Sequence, residues 1–370
     1  MEGIQAEALN LGFSLFGIAK PFALEKTRLF QNWLDRGFQG SMGYLSRPDA
    51  VAKRFSPTQL VNGCRTIISL GYSYSLNNIW DSPESIKSGW ISSYALSADY
   101  HSLLIRSLEQ LVTYIRSKIG TKHIFRVFTD SAPILERELG VLGNLGWIGK
   151  NANLISPVIG SHFLLAEIYT NLEIDPEQDR IPDRCGKCHR CIDACPTQCI
   201  QSYRTIDARK RISYLTIENN SEIPVNLREK IGQWVFGCDI CQTVCPWNRY
   251  SQKGMEILRT HRISPVVNLA KQLNFSKKEF ETHYSGTPVL RSGWMGFLRN
   301  LIIAAGNLKD MQSLSLLKMH LNGHASPMIR SHAAWAIGKC DVSGSRTALI
   351  EALDTERDLS VVAEIRSALV

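Results

Sequence analysis

Eight of the ten cysteines in this 370-residue chain lie in two short runs, and few folds tolerate that pattern without a metal. The first run is Cys185-Gly-Lys-Cys188-His-Arg-Cys191-Ile-Asp-Ala-Cys195-Pro196, with Cys199 shortly after. The second is Cys238-Asp-Ile-Cys241-Gln-Thr-Val-Cys245-Pro246. A C-x2-C-x2-C-x3-C-P run places three thiolates around one iron–sulfur cubane and sends the cysteine before proline to a second. The spacing therefore predicts single-electron transfer through two 4Fe–4S clusters.

Ligands can be assigned from spacing. Cys185, Cys188 and Cys191 hold the first cluster, with Cys245 crossing over as fourth ligand. Cys238 and Cys241 hold the second, with Cys195 crossing the other way. One place on the second cluster stays open, and Cys199 is the nearby candidate; a small buried apolar role is the alternative for it. Zinc is the competing metal, but structural zinc takes two paired ligand sets around one tetrahedral ion, and the first run is a triple. The pattern is that of a bacterial ferredoxin.

The chain is long enough for two or three domains, with 44% hydrophobic and 21% charged residues. No apolar stretch has the length of a membrane span. The opening Met-Glu-Gly-Ile-Gln-Ala-Glu lacks the basic start of a signal peptide, and Cys64 and Cys340 stand isolated, unlike a secreted disulfide framework. A cytoplasmic location is expected. The net charge of +8 permits a polyanionic partner without demanding one.

Three regions are expected. Residues 1–180 alternate helical and strand-like patterns, with helices over Ala6–Leu15 and Leu103–Ile119 and strands over Thr66–Gly71 and His162–Ile168, which predicts an α/β (α+β) domain. Residues 181–250 carry the cysteine runs, with helices expected over Asp207–Glu218 and Leu227–Phe236. Residues 285–370 are helical and repetitive. A 32-residue shift aligns Phe297, Ile329 and Val361, then Leu301, Ala333 and Ile365, then Ala304, Ala336 and Ala368. Those positions share one helix face, as stacked HEAT-like helical pairs require. Arg299, Lys318, Arg330 and Lys339 are candidates there for a nucleic-acid-binding face.

Chemistry beyond electron transfer is expected in the first region. Phe128-Thr-Asp130-Ser131-Ala132-Pro133 reads as a strand end followed by a helix start. Asp130 there either caps the helix or faces a pocket at the strand's end. Ser97-Ala-Asp99-Tyr100-His101 is a second polar group at a helix start. Gly143-Asn-Leu-Gly146-Trp147-Ile-Gly149-Lys150-Asn151 is glycine-rich but fits neither nucleotide-loop pattern, so its glycines are read as allowing close approach of a flat or bulky ligand.

With these residues assembled, the chain resembles the epoxyqueuosine reductases over nearly its whole length. The resemblance rests on Arg36-Gly37 through Tyr44, Asp99-Tyr100-His101, Asp130-Ser131-Ala132-Pro133, Gly146 through Asn151, both cysteine runs, Ile212 through Glu218, Cys245-Pro246-Trp247-Asn248 and the helical repeats. It implies reduction of the epoxide of epoxyqueuosine to the cyclopentene of queuosine at the tRNA wobble position, the last step of queuosine biosynthesis. It also implies an external electron donor and cobalamin bound base-off, with reduced cobalt as the nucleophile; no D-x-H-x-x-G cobalt-ligand motif is present. By resemblance Asp130 is the general acid, expected to be desolvated so that it keeps a proton near neutrality. Arg54, Asp99, Tyr100, Asp130, Trp147, Lys150, Asn151 and Ser213 become the expected cobalamin contacts. One departure is Arg211, where the family commonly has a cysteine ligand of the second cluster; an arginine cannot replace a thiolate. Two other classes stay open: a corrinoid iron–sulfur reductase of a small substrate, like the reductive dehalogenases, and a non-enzymatic electron carrier. The helical tail and basic charge favour a large polyanionic substrate.

Overall fold

Thr66-Ile-Ile-Ser-Leu-Gly-Tyr-Ser73 and Phe163-Leu-Leu-Ala-Glu-Ile-Tyr-Thr170 have almost no charge and are rich in β-branched and aromatic residues, so both are suited to strands buried on two faces. A computed structural model of the chain describes residues 2–21, 27–74, 86–176, 180–250, 263–340 and 343–370, and in it these segments form central strands. The chain divides into two compact units. The first is built from Met1–Leu76, Ser97–Arg209 and Asp239–Thr260, the second from Asn77–Leu96, Lys210–Cys238 and His261–Val370.

The sheet of the first unit runs in the order β1 (Leu15–Ala19), β2 (Thr66–Ser73), β4 (Phe163–Thr170), β3 (Phe125–Phe128), and every pairing is antiparallel. The mixed class expected from sequence is therefore realised as α+β, and the strand-end rule for parallel sheets does not locate the site. Helix α1 (Glu2–Asn10) and helix α2 (Tyr100–Ile119) pack together, and α2 also packs on β3 and β4. Helix α3 (Glu136–Leu142) packs on β1, β2 and β4, where Leu139 joins Ala19, Ile67 and Tyr169 in one apolar cluster. Side chains alternate along a strand, so Glu167 shares the α3 face with Tyr169.

Sequence periodicity places α2 well: Leu104, Leu108, Leu111, Val112 and Ile115 are all buried. It misplaces α1, which ends at Asn10 rather than Leu15. Gly12 takes φ +97 and packs so closely on Tyr72 that a Cβ would lie 2.8 Å from its hydroxyl, so the chain turns there into β1. Around Pro133 the helix also starts later than expected, at Glu136, after a turn that begins at Thr129.

In the second unit, α4 (Ile212–Ile217) and α5 (Val225–Ile231) are shorter than expected. Gly232, at φ +62, ends α5, and Trp234–Phe236 becomes a strand beside Gly89–Ile91 instead of continuing the helix. The repeat is formed by α6 (Gly293–Leu308), α7 (Leu314–Gly323), α8 (Pro327–Cys340), α9 (Ser343–Thr355) and α10 (Leu359–Ala368). Alternate helices α6, α8 and α10 stack in turn, and Phe297, Ile329, Val361, Leu301, Ala333 and Ile365 are all buried.

Arg299 is a correction to the proposed surface of this tail. It is wholly buried, donating to the carbonyls of Leu215, Asn219 and Ser221 at 2.6–2.7 Å and to Asn300 Oδ1. An arginine at an inward-facing repeat position here stitches α6 to the chain around α4. Arg330 is paired with Glu356, and Lys339 with Glu229.

Candidate functional site

Asp130 lies two residues beyond the end of β3, at φ +50. Aspartate tolerates this left-handed conformation better than most side chains because its short carboxylate can bond locally. The turn is tight: Ser131 N–H donates to Thr129 O at 2.6 Å and Ile134 N–H to Ala132 O at 2.8 Å. Thr129 ties its start to β4 by donating to Leu165 O at 2.8 Å.

The start of α2 faces this turn. Tyr100 donates its phenol to Asp130 Oδ2 at 2.8 Å, and His101 Nε2 lies 3.5 Å from the same oxygen. His101 Nδ1 is 2.7 Å from Asp99 Oδ1, which also accepts the His101 amide and so caps α2. Asp99 is thus both a helix cap and one end of a carboxylate–imidazole–carboxylate chain. Hydrogen bonding to Asp130, followed by the bond and charge of Asp99, raises the His101 pKa above its ordinary value despite partial burial. The side chain of Asp130 is 59% exposed, not desolvated as expected, because it projects from a turn rather than from within the sheet.

Two further carboxyls stand behind Asp130. Glu136 accepts the Asp130 amide on Oε1 at 2.6 Å. Burial, with the Asp130 charge beside it, pushes the Glu136 carboxyl up to about 8. Glu167 is fully buried, and neither of its oxygens has a hydrogen-bond partner. It is paired in register with Ser69, whose buried hydroxyl also lacks a partner. Burial drives Glu167 well above the carboxylate range, and the charges of Glu136 and Asp130 add to this. An uncharged Glu167 is the form such a site holds. Sequence reading passed over it; an acid inside the apolar run Leu-Leu-Ala-Glu-Ile-Tyr was the available signal.

The first cysteine run winds around the helical turn Arg190–Asp193, which packs against the turn Ile240–Thr243 of the second run. Cys191 is surrounded by Cys185, Cys188, Cys241 and Cys245, whose negative charge, added to burial, pushes its thiol up to about 11. This neighbourhood holds Cys185, Cys188 and Cys245, expected on the first cluster, together with Cys241, expected on the second. Cys195 and Cys199 approach with their sulfurs 3.5 Å apart, and Cys199 is buried. None of the ten cysteines is in a disulfide. Among the described residues no three His, Cys, Asp or Glu side chains form a single-ion site. Eight thiols in two-cluster spacing fit cubanes, which take thiolates farther apart than one ion does. Cys238 falls at the end of a segment of the second unit.

The other expected contacts are distributed unevenly. Asp99, Tyr100 and Asp130 are brought together as above. Trp147, almost wholly buried, points its indole N–H at Cys185 Sγ, 3.5 Å away. Lys150 donates to the carbonyls of Gly186 and Cys188, both at 2.8 Å. These two therefore brace the loop of the first cysteine run. Asn151 is buried and keeps an Nδ2 donor without a partner. Arg54 is buried on the helix Pro48–Phe55, its guanidinium 3.4 Å from the carbonyls of Leu45 and Ala50. Ser213 belongs to the second unit, half-buried on α4, where Arg211 occupies the residue before the helix.

These features define an iron–sulfur protein: a two-cluster cysteine domain joined to an α+β scaffold with an acid-bearing turn. A profile described as a 4Fe-4S double cluster binding domain matches residues 184–248, and one described as epoxyqueuosine reductase QueG, DUF1730, matches residues 54–131. The chain is 37% identical over 337 residues to an epoxyqueuosine reductase of Pseudomonas aeruginosa, covering 89% of this chain and 91% of that protein. It is 36% identical to that of Escherichia coli, covering 91% and 88%. A crystal structure of epoxyqueuosine reductase with an epoxyqueuosine-modified tRNA-Tyr stem loop superposes with TM-score 0.89 at 27% identity, covering 100% of this chain and 97% of that one. The Bacillus subtilis epoxyqueuosine reductase, in a structure with an aspartate-bearing catalytic loop swung out of the active site, gives TM-score 0.87 at 28% identity, covering 100% and 97%. The chain belongs to the epoxyqueuosine reductase family.

Proposed function

We propose that this protein reduces epoxyqueuosine to queuosine at the wobble position of tRNA, using two 4Fe–4S clusters and cobalamin. The observation that carries this is likeness along nearly the whole chain: relatives of one name match about nine-tenths of it at 35–37% identity. The neighbour bound to a modified stem loop supports tRNA as the substrate. Removing the epoxide oxygen as water takes two electrons and two protons. Clusters that pass electrons singly suit that demand.

Asp130 is the proton donor in this reading. Its Oδ2, fixed by Tyr100 and facing His101, would place a proton at the epoxide oxygen, which leaves more readily as an alcohol than as an alkoxide. Because its carboxyl is exposed here, desolvation would come from the bound substrate. A protonated His101, braced by Asp99, is the adjacent group able to restore the proton. Cobalamin, when bound, supplies a reduced cobalt nucleophile. The buried Asn151 donor without a partner fits a cofactor whose rim carries amide oxygens. Asp99, Tyr100, Asp130 and Asn151 would hold it, with Arg54, Trp147, Lys150 and Ser213 as further contacts assigned by family resemblance. Cys199 would complete the second cluster in place of the family cysteine that is Arg211 here.

We also assign residues 1–180 to cobalamin and substrate, 181–250 to the clusters and 285–370 to a HEAT-like tail that binds tRNA, in a protein of the cytoplasm. No described helix is long and apolar enough to cross a membrane. The test is conversion of an epoxyqueuosine stem loop by the cluster- and cobalamin-loaded protein with a chemical reductant, followed by nucleoside mass spectrometry. Loss of one oxygen from the modified base is expected. Asp130→Asn, which keeps shape and tolerates the left-handed turn, should lower the single-turnover rate about a hundredfold to ten-thousandfold. No conversion by fully loaded wild-type protein would overturn the assignment.

A further inference from the structure

We propose that Glu136 is a positioning residue for Asp130: its carboxyl latches the Asp130 turn through the backbone amide and so sets where the acid points. This rests on the reading of Asp130 as proton donor. The left-handed conformation of Asp130 is one that side chains other than glycine seldom adopt, so a turn built on it needs contacts that hold it. Tyr100 holds the side chain, while the backbone is held from behind by the 2.6 Å bond to Glu136 Oε1.

The latch is well anchored. Glu136 opens α3, and its neighbours Glu138, Leu139 and Gly140 are buried against the sheet. Thr129 fixes the other end of the turn to β4. Asp130 is thus clamped between a strand and a helix, each part of the folded core, while its exposed carboxyl is held by Tyr100 and faces His101. Around Glu136 stand Asp130, Arg137, His101 and, behind it, the buried Glu167. With Glu167 uncharged, Glu136 faces no second fixed negative charge from the sheet side. Its acceptor oxygen is needed in either protonation state, because a neutral carboxyl still accepts through its carbonyl.

Two substitutions separate reach from charge. Glu136→Gln keeps an acceptor oxygen at the same reach; Glu136→Asp keeps the charge but withdraws it by one methylene. Hydrogen exchange of the peptide Phe128–Leu135 is measured on the cluster-loaded protein without substrate, alongside single-turnover rate and stem-loop affinity. Glu136→Asp should speed exchange of the Asp130 amide and slow turnover by about tenfold each, the worth of one such bond, with affinity within about twofold. Glu136→Gln should leave all three near wild type. Wild-type exchange in Glu136→Asp overturns the latch, and so does a Glu136→Gln variant that loses protection equally. Asp130→Asn, run in parallel, separates the two ideas. Normal turnover by Asp130→Asn removes Asp130 from the chemistry while the exchange data still judge the latch. An inactive Asp130→Asn beside a normal Glu136→Asp removes the latch and leaves the acid.

Discussion

Tyr100 and Asp130, thirty positions apart in sequence, meet through a 2.8 Å hydrogen bond from the phenol to Oδ2. The bond joins the first residue of α2 to the turn after β3, and it aims the proposed acid. Tyr100→Phe keeps the ring, which stacks on His101 at 4.1 Å, and removes the donor alone. Single-turnover reduction should fall by up to about tenfold, the scale of one hydrogen bond, with unchanged stem-loop affinity. A wild-type rate would show that Tyr100 does not aim Asp130.

His101 offers a direct electrostatic readout. Its pKa is raised first of all by Asp130 and then by Asp99. Its imidazole should titrate above the ordinary value of about 6.5 in wild-type protein. In Asp130→Asn the midpoint should fall, because the largest cause is gone. By linkage, the stability that His101 contributes is complete below its unfolded pKa and is lost as pH rises through the folded one. NMR titration of His101 in both proteins checks this; an unshifted midpoint in the variant would mean that the contact is not made in solution.

Glu167 carries the opposite sign from an ordinary salt-bridged acid. Its folded pKa is raised, so the folded state holds a proton that the unfolded chain releases above about 4.3. Its contribution to stability therefore falls as pH rises from there towards the folded pKa, by about 1.4 kcal/mol per pH unit while the proton difference is complete. Glu167→Gln removes that dependence. Relative to wild type, the variant should gain stability between pH 5 and pH 8, measured as the difference in melting temperature. Parallel curves would show that Glu167 is not held protonated.

The cysteines make an analytical prediction. Anaerobically prepared protein should hold about eight iron per chain, as two cubanes require. Cys188→Ala should lose the first cluster and stop turnover. Cys199→Ala should lose the second, leaving about four iron. Full iron content in Cys199→Ala would hand the open ligand position to another residue.

Arg299 should matter for folding and not for tRNA. Arg299→Leu strands three backbone carbonyls of the second unit in the interior. It should cost roughly 3–5 kcal/mol in stability. The salt dependence of stem-loop binding should not change, since a buried guanidinium releases no counterion. A shallower salt slope at unchanged stability would return Arg299 to the binding face.

How legible each part was depends on the range of the interaction that fixes it. The cysteine spacing, the apolar stripe of α2 and the 32-residue repeat are local patterns. A ligand run or a helix face is written in residues a few positions apart, so the sequence alone determined the clusters, the long helix, the stacked tail and, through motif combination, the family. The ends of α1 and α5 were less clear, since Gly12 and Gly232 stop them through backbone angles that apolar periodicity does not register.

Only the tertiary structure decided the surroundings of Asp130. Its sequence allows a helix cap or a pocket acid equally. The antiparallel pairing of β3 with β4 brings Glu167 behind its turn, and the packing of α2 and α3 brings Tyr100, His101 and Glu136 around it. Arg299 was likewise a surface cation in sequence and a buried stitch in space. Burial and the pKa of a carboxyl are sums over neighbours distant along the chain, so they exist only once the sheet has closed.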